Sequence, residues 1–205
     1  RFAAAIGASP ADVIFTGGGT EACNLGVLGL GGARVLTTSI EHPAVAASVR
    51  ALGAVVATVH ALEGRAPPLA LEGVDLACVQ WVNHETGTIL PVEAYARECG
   101  AAGTRLFVDA TAALGKLPID VTALGATAVA FASSKIGGPP GAGALWIDRD
   151  ADLTPRRLGG GQERGRRAGS PDPVALAGLG FAATLLPERL AQMPDVALRR
   201  DRLEQ

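Results

Sequence analysis

Lysine occurs only twice in this chain, against sixteen arginines. One of the two, Lys135, sits in Phe131-Ala132-Ser133-Ser134-Lys135-Ile136-Gly137-Gly138-Pro139. A lysine amine can lose its proton when desolvated and form an imine with a carbonyl, which a guanidinium cannot do. Upstream, Leu106-Phe107-Val108-Asp109-Ala110-Thr111 reads as a buried strand ending in an acid. An imine-forming lysine and an acid at a strand end are what pyridoxal 5'-phosphate (PLP) requires, one to hold the cofactor and one to face its pyridinium nitrogen. Taken alone, Lys135 reads equally well as an ordinary surface lysine. Lys116 lies in a Gly-Lys-Leu-Pro turn and reads as surface.

Other candidates also follow predicted strands. Gly17-Gly18-Gly19-Thr20-Glu21 opens a helix, whose first N–H groups and dipole suit a phosphate. It is neither a Walker loop nor a dinucleotide fingerprint, and a tight turn with Thr20 as cap accounts for it equally well. His42, in Glu41-His42-Pro43, could stack on an aromatic cofactor and move a proton, although a capping histidine is the simpler reading. Asn83-His84-Glu85 offers polar groups to a phenolic oxygen. His42, His60, His84 and the cysteines share no metal-ligand spacing, so no metal site is expected.

The elements that must position these residues alternate. Val13–Thr16, Arg34–Thr38, Ala54–His60, Leu76–Val82, Arg105–Asp109, Thr127–Ala132 and Ala144–Ile147 read as strands. Thr20–Leu30, Pro43–Leu52 and Pro91–Ala102 read as helices between them. Continuous apolar strands with helical crossovers predict an α/β fold, its sheet largely parallel, covered by helices on both faces, with ligands at the carboxyl edge. The stretch from Leu62 to Gly73 reads as an irregular connection. A glycine- and arginine-rich loop, Asp148–Pro173, precedes helices predicted at Val174–Leu186 and Glu188–Glu204. The 205 residues suffice for one domain, 48% of them apolar. No apolar run approaches the roughly 20 residues of a membrane span. A net charge of −2 gives no reason to expect nucleic acid or anionic membrane. Three isolated cysteines, Cys23, Cys78 and Cys99, fit a reducing cytoplasm.

In order along the chain stand Gly19-Thr20-Glu21-x-x-Asn24, Glu41-His42, Asn83-x-Glu85-x-Gly87, Val108-Asp109-Ala110-Thr111 and Gly115-Lys116-Leu117-Pro118-Ile119-Asp120. Ser134-Lys135-Ile136-x-Gly138-Pro139 and Gly159-Gly160-Gly161-Gln162-Glu163-Arg164-Gly165-x-Arg167-x-Gly169 follow. Together they resemble the large domain of NifS/IscS-type cysteine desulfurases, class V aminotransferases of the type I PLP fold, with a mixed, mostly parallel seven-stranded sheet. The resemblance spans almost all of residues 1–205. It implies that Lys135 carries the cofactor as an imine and moves the α-proton, that Asp109 pairs with the pyridinium nitrogen, and that His42 stacks on the ring. Gly19, Thr20 and Ser134 would hold the phosphate. Ser170 stands where the family has a threonine that reaches the partner's phosphate site, implying a homodimer.

Several positions depart from the pattern. His84 replaces an asparagine near the phenolic oxygen, Ala112 a glutamine, Ala132 a phosphate-binding serine and Ser134 a histidine; Ser133 or Ser134 could compensate at the phosphate. The family's N-terminal segment and its small domain, with the persulfide cysteine and the substrate-carboxylate arginine, have no counterpart here. The expected parent reaction takes sulfur from L-cysteine, leaving alanine and an enzyme persulfide for iron–sulfur cluster or thio-cofactor assembly through a sulfur-acceptor or scaffold protein. Open alternatives are another PLP lyase or aminotransferase, such as a selenocysteine lyase, and a degenerate paralogue with a dimerising or regulatory role. Residues 1–205 alone are expected to be inactive.

Overall fold

Strands whose side chains are buried on both faces need cover on both faces, and the chain supplies it. The structure, a computed structural model, describes residues 1–59 and 68–203. Seven strands form one sheet: β1 (Val13–Thr16), β2 (Arg34–Thr38), β3 (Val55–Val59), β4 (Leu76–Gln80), β5 (Arg105–Asp109), β6 (Ala128–Ala132) and β7 (Gly143–Ile147). Their order is β1-β7-β6-β5-β4-β2-β3. β7 is antiparallel to both β1 and β6, and the remaining pairings are parallel. Every position of β4, β6 and β7 is buried.

Strand alternation divides the core in two. Ala77, Val79, Leu106, Val108, Val129, Phe131, Ala144 and Trp146 pack with one set of helices: α1 (Phe2–Ala5), α4 (Val92–Ala102), α5 (Val121–Leu124) and α6 (Pro173–Thr184), with Leu186 of α7 (Leu186–Leu203). Leu76, Cys78, Phe107, Ala128, Ala130, Leu145 and Ile147 pack against α2 (Gly19–Leu30) and α3 (Pro43–Ala51) on the other face. The parallel strands therefore all deliver their carboxyl ends, and the loops after them, to one edge.

The expected strands and helices are found, with shifts of one or two residues at most ends. β4 stops at Gln80 because Val82 instead forms an isolated bridge with Ile89. β3 ends at Val59; His60, residue 61 and residues 62–67 of the expected irregular connection lie outside the described residues. The short α1 and α5 were not expected; α5 is opened by Asp120, whose carboxylate accepts from Thr122 N–H and Ala123 N–H. Among the described residues, no single helix is long and apolar enough to cross a membrane.

The glycine- and arginine-rich loop is tied down by its charges. Glu163 and Arg164 adopt left-handed backbone, with φ of 49° and 57°. Glu163 Oε2 accepts the outward N–H of Phe15 on edge strand β1, while Arg164 and Arg166 donate to the Ala11 carbonyl. An edge-strand N–H that would otherwise face solvent is thereby paired.

Candidate active site

The turn after β1 is built for close approach. Gly18 has φ 154° and ψ 177°, a conformation glycine tolerates, and a Cβ at Gly143 would come 2.5 Å from the Gly18 carbonyl carbon. No side chain caps α2, so its leading N–H groups are left to a ligand. Glu21 does not serve that ligand. Its carboxylate accepts from Gly17 N–H at 2.7 Å and from Arg167, Nε at 2.7 Å and Nη2 at 3.1 Å. Burial works against the charged carboxylate, but Arg167 and the Gly17 N–H together hold its pKa below the usual value. The same ion pair anchors the arginine-rich loop beside the glycine turn.

After β2, His42 opens α3 as its N-cap, its Nδ1 accepting from Ala44 N–H at 3.1 Å. Nδ1 is then the acceptor, and the proton of the neutral ring sits on Nε2. The capping and pocket-lining readings of His42 hold together, because His42 also borders the pocket. The ring of His84 meets it edge to face, centroids 5.0 Å apart. Asn83 faces elsewhere: its Oδ1 accepts from Glu85 N–H, Thr86 N–H and the Thr86 hydroxyl, and its amide donates to Ile40 O. It shapes the loop that presents His84.

Asp109 ends β5, buried, and one oxygen is committed: Oδ1 accepts from Thr111 N–H at 2.9 Å and the Thr111 hydroxyl at 2.7 Å. No arginine or lysine pairs with it among the described residues. The Cys23 thiol, from α2, lies beside the same carboxylate. Burial first, then the charge and hydrogen bond of Asp109, push that thiol well above the usual thiol range. Beyond β6 a 3-10 turn, Ser133–Ile136, carries Ser134 and Lys135, both exposed.

These groups surround one cavity of about 230 Å³. Gly19, Thr20, His42, His84, Asp109, Thr111, Ser134 and Lys135 all line it. Of the residues expected at the site, Ser170 alone lies elsewhere, exposed in the loop before α6. The arrangement offers an amine, a buried carboxylate without a counter-cation, a planar ring and uncapped helix N–H groups, which together fit PLP.

Three site features escaped sequence reasoning. Cys23, expected as a plain core residue, also borders the cavity, and so do Gln80 and Thr111. The strand-end positions of Gln80 and Thr111 were the available signal; Cys23 lies a helical turn beyond the glycine loop. Ser133 does not line the cavity: its hydroxyl is buried beside Gly138, without a partner among the described residues. Lys116 is exposed, as expected for a turn, but it is no bystander, since it shares a second cavity with Lys135.

The Aminotransferase class-V model matches residues 1–200. The chain belongs to the class-V aminotransferase family. Within that family it is 40% identical over 220 residues to the IscS-like cysteine desulfurase of Mycobacterium tuberculosis, covering 97% of this chain and 56% of that protein. The crystal structure of DndA from Streptomyces lividans superposes with a TM-score of 0.81 at 35% identity, covering 93% of this chain and 59% of the other. SspA, solved in complex with cysteine, gives 0.79 at 30% identity over 89% of this chain and 58% of its own. The chain thus spans about half the length of the curated desulfurases it matches. The DndA and SspA structures share the fold of this chain.

Proposed function

We propose that residues 1–205 form the PLP-binding large domain of a cysteine desulfurase. One observation carries the reading: Lys135 and Asp109, from different strand ends, meet in a single cavity with the uncapped start of α2. PLP bound there supplies an electron sink that makes the α-carbon of an amino acid acidic. Lys135 holds the cofactor and moves the α-proton. Asp109 would face the ring nitrogen, while Thr111 holds its Oδ1 and so fixes the carboxylate's orientation. His42, its Nδ1 held by Ala44 N–H, would stack on the cofactor ring and help move a proton. Gly19, Thr20 and Ser134 bind the phosphate. His84, which lines the same cavity, would serve the phenolic oxygen, to which Ala112 offers no donor.

The substrate is L-cysteine or a related amino acid, converted to alanine with the sulfur passed on for iron–sulfur or thio-cofactor assembly. Sulfur transfer needs an accessible, activated thiolate. Cys23, Cys78 and Cys99 are all buried, and burial pushes each thiol above its usual range. The nucleophile is therefore assigned to a cysteine outside residues 1–205, and this stretch alone should not release sulfur at an enzymatic rate. Ser170, exposed and off its own cavity, is assigned in this reading to the site of a second copy in a homodimer. Three unpaired, buried thiols suit a cytoplasmic protein.

The test is reconstitution with PLP, borohydride reduction and peptide mapping. The pyridoxyl group is expected on Lys135. Its appearance on Lys116, or the absence of a yellow chromophore, would overturn the assignment; the latter would favour the degenerate paralogue.

A further inference from the structure

His42 reaches the cavity from the turn of residues 39–42, between β2 and α3. The paired register of β2 and β4 ends at Thr37 and Cys78, so the N–H of Gln80, two residues on, lies past that ladder. Glu41 takes it up. Its Oε1 accepts from Gln80 N–H at 3.1 Å and from the Thr38 hydroxyl at 2.5 Å. One oxygen thus ties the last residues of β2 and β4 to the residue that precedes His42. Two further bonds hold the same turn: the Gln80 amide donates to Ile40 O at 2.5 Å, and Asn83 Nδ2 donates to it at 3.2 Å. Gln80 stands opposite Asp109 in the β4–β5 register. The clamp therefore runs from the turn bearing His42 to the strand position beside the buried acid.

A buried carboxyl is a costly way to close a turn. Glu41 is 8% exposed, and its Oε2 is buried without a partner among the described residues. The ionisable groups whose charges couple to it are Asp109 of β5, Cys23 of α2, Cys78 of β4 and Tyr95 of α4, and none of these is a cation. Burial pushes its carboxyl up to about 8, against the bonds from Thr38 and Gln80, and the charge of Asp109 adds to the rise. Near neutral pH the group is then a protonated acid with one accepting oxygen, close in shape and hydrogen bonding to an amide. Such costs persist where a site gains from them.

We propose that Glu41 is a positioning residue for the cofactor: its carboxyl fixes the turn that carries His42 and so holds the imidazole against the ring. The inference rests on the function proposed above. Glu41 does not line the cavity, so it acts through His42. The His42 ring is held by one bond, from Ala44 N–H to Nδ1, and by its edge-to-face contact with His84. Where the backbone of the turn is placed therefore decides where that ring lies.

The test compares Glu41→Leu, which fills the same space without an acceptor, with Glu41→Gln, which keeps one, in the full-length protein. Equilibrium dialysis should show PLP weakened about tenfold by Leu, as when a ligating histidine loses its orienting partner, and within about twofold for Gln. The visible circular dichroism of bound PLP should fall for Leu alone. In a His42→Ala background the Leu effect should shrink to about twofold or less, because its route runs through the imidazole. In PLP-free protein, nitrogen NMR should find His42 as the Nε2–H tautomer in the parent and the Gln variant, and as a mixture in the Leu variant. If Glu41→Leu does not fold, Thr38→Val removes one of the two donors that orient the carboxyl and should show the same pattern with smaller effects. A Gln variant as damaged as Leu, no loss with Leu, or a Leu loss undiminished by His42→Ala would overturn the proposal. If the parent binds no PLP, the functional reading falls, and an unchanged His42 tautomer in the Leu variant would separately remove the clamp.

Discussion

The two edges of the sheet use their charged groups in opposite ways. At the amino edge they are committed to the backbone. Asp75, just before β4, accepts both Ala33 N–H and Arg34 N–H at 2.8 Å, and these bonds hold its carboxyl below the usual range. Arg105, which opens β5, donates to the carbonyls of Leu30, Gly31 and Asp75. At the carboxyl edge Lys135 has no hydrogen bond or ion pair among the described residues, and Asp109 is buried without a counter-cation. One edge closes the fold and the other holds polar groups in reserve for a ligand. Sites commonly break the satisfaction rules that the rest of a protein obeys.

The sharpest way to break that contrast is a matched pair of substitutions. Lys135→Ala should abolish the yellow chromophore of the PLP-loaded protein while leaving thermal unfolding nearly unchanged, since no internal bond is lost. Arg105→Ala should do the reverse, removing about 1–3 kcal/mol of stability by stranding the Leu30 and Gly31 carbonyls while the chromophore persists. Absorbance and denaturant titration on both variants check the two outcomes. A stability loss at Lys135 equal to that at Arg105 would erase the distinction.

Glu41 blurs the contrast, because it is at the carboxyl edge yet entirely internal. Its Oε1 accepts from the Thr38 hydroxyl at 2.5 Å and from Gln80 N–H at 3.1 Å, while Oε2 is buried without a partner among the described residues. Burial raises its pKa from 4.5 to about 8, and the charge of Asp109 adds to the rise; the bonds from Thr38 and Gln80 oppose it. A carboxyl raised on folding contributes stability that is fully present below 4.5 and is lost as pH climbs through about 8. Glu41→Gln should remove that decline, on the order of a few kcal/mol between about pH 5 and about pH 8.5. Melting curves across that range should be flatter for the variant, and parallel curves would mean that Glu41 is ionised throughout.

Within the site, Asp109→Asn is a smaller change. The amide oxygen can still accept from Thr111, so the local turn should survive. The charge toward the pyridinium nitrogen is lost, which should weaken PLP about 10- to 100-fold. Equilibrium dialysis measures it, and unchanged affinity would remove Asp109 from the cofactor's partners.

What could be read in advance divides along the same line. The strands were legible because burial on both faces makes them continuous apolar runs, as in Ala128–Ala132. Lys135 and Asp109 were legible because each follows such a run. Cys23 was not, since its sequence environment is that of a core helix and only the packing of α2 beside β5 brings its thiol to Asp109. Nor was the link between Lys116 and Lys135. It depends on Arg189, far away in sequence, lying across two glycine turns. Local pattern reveals elements and the residues at their ends; pairings made across elements await the fold.

The smallest expected effect is also the one that separates an eroded site from a rebuilt one. Ala112 lies on the cavity wall and offers no donor, whereas His84 stands in the same cavity with its ring against His42. Ala112→Gln adds an amide donor within reach of the phenolic oxygen. A donor stabilises the charged phenolate, so PLP should bind more tightly, by a few-fold, and the chromophore's titration should move to lower pH. A His84→Ala background sharpens the comparison. If the glutamine effect is small in the parent and grows when His84 is removed, His84 already supplies that donor and the cavity has been rebuilt around it. If the effect is the same in both backgrounds, His84 contributes nothing to that oxygen and the alanine marks a lost contact. A pH titration of the visible absorbance in the four proteins of this cycle decides between them.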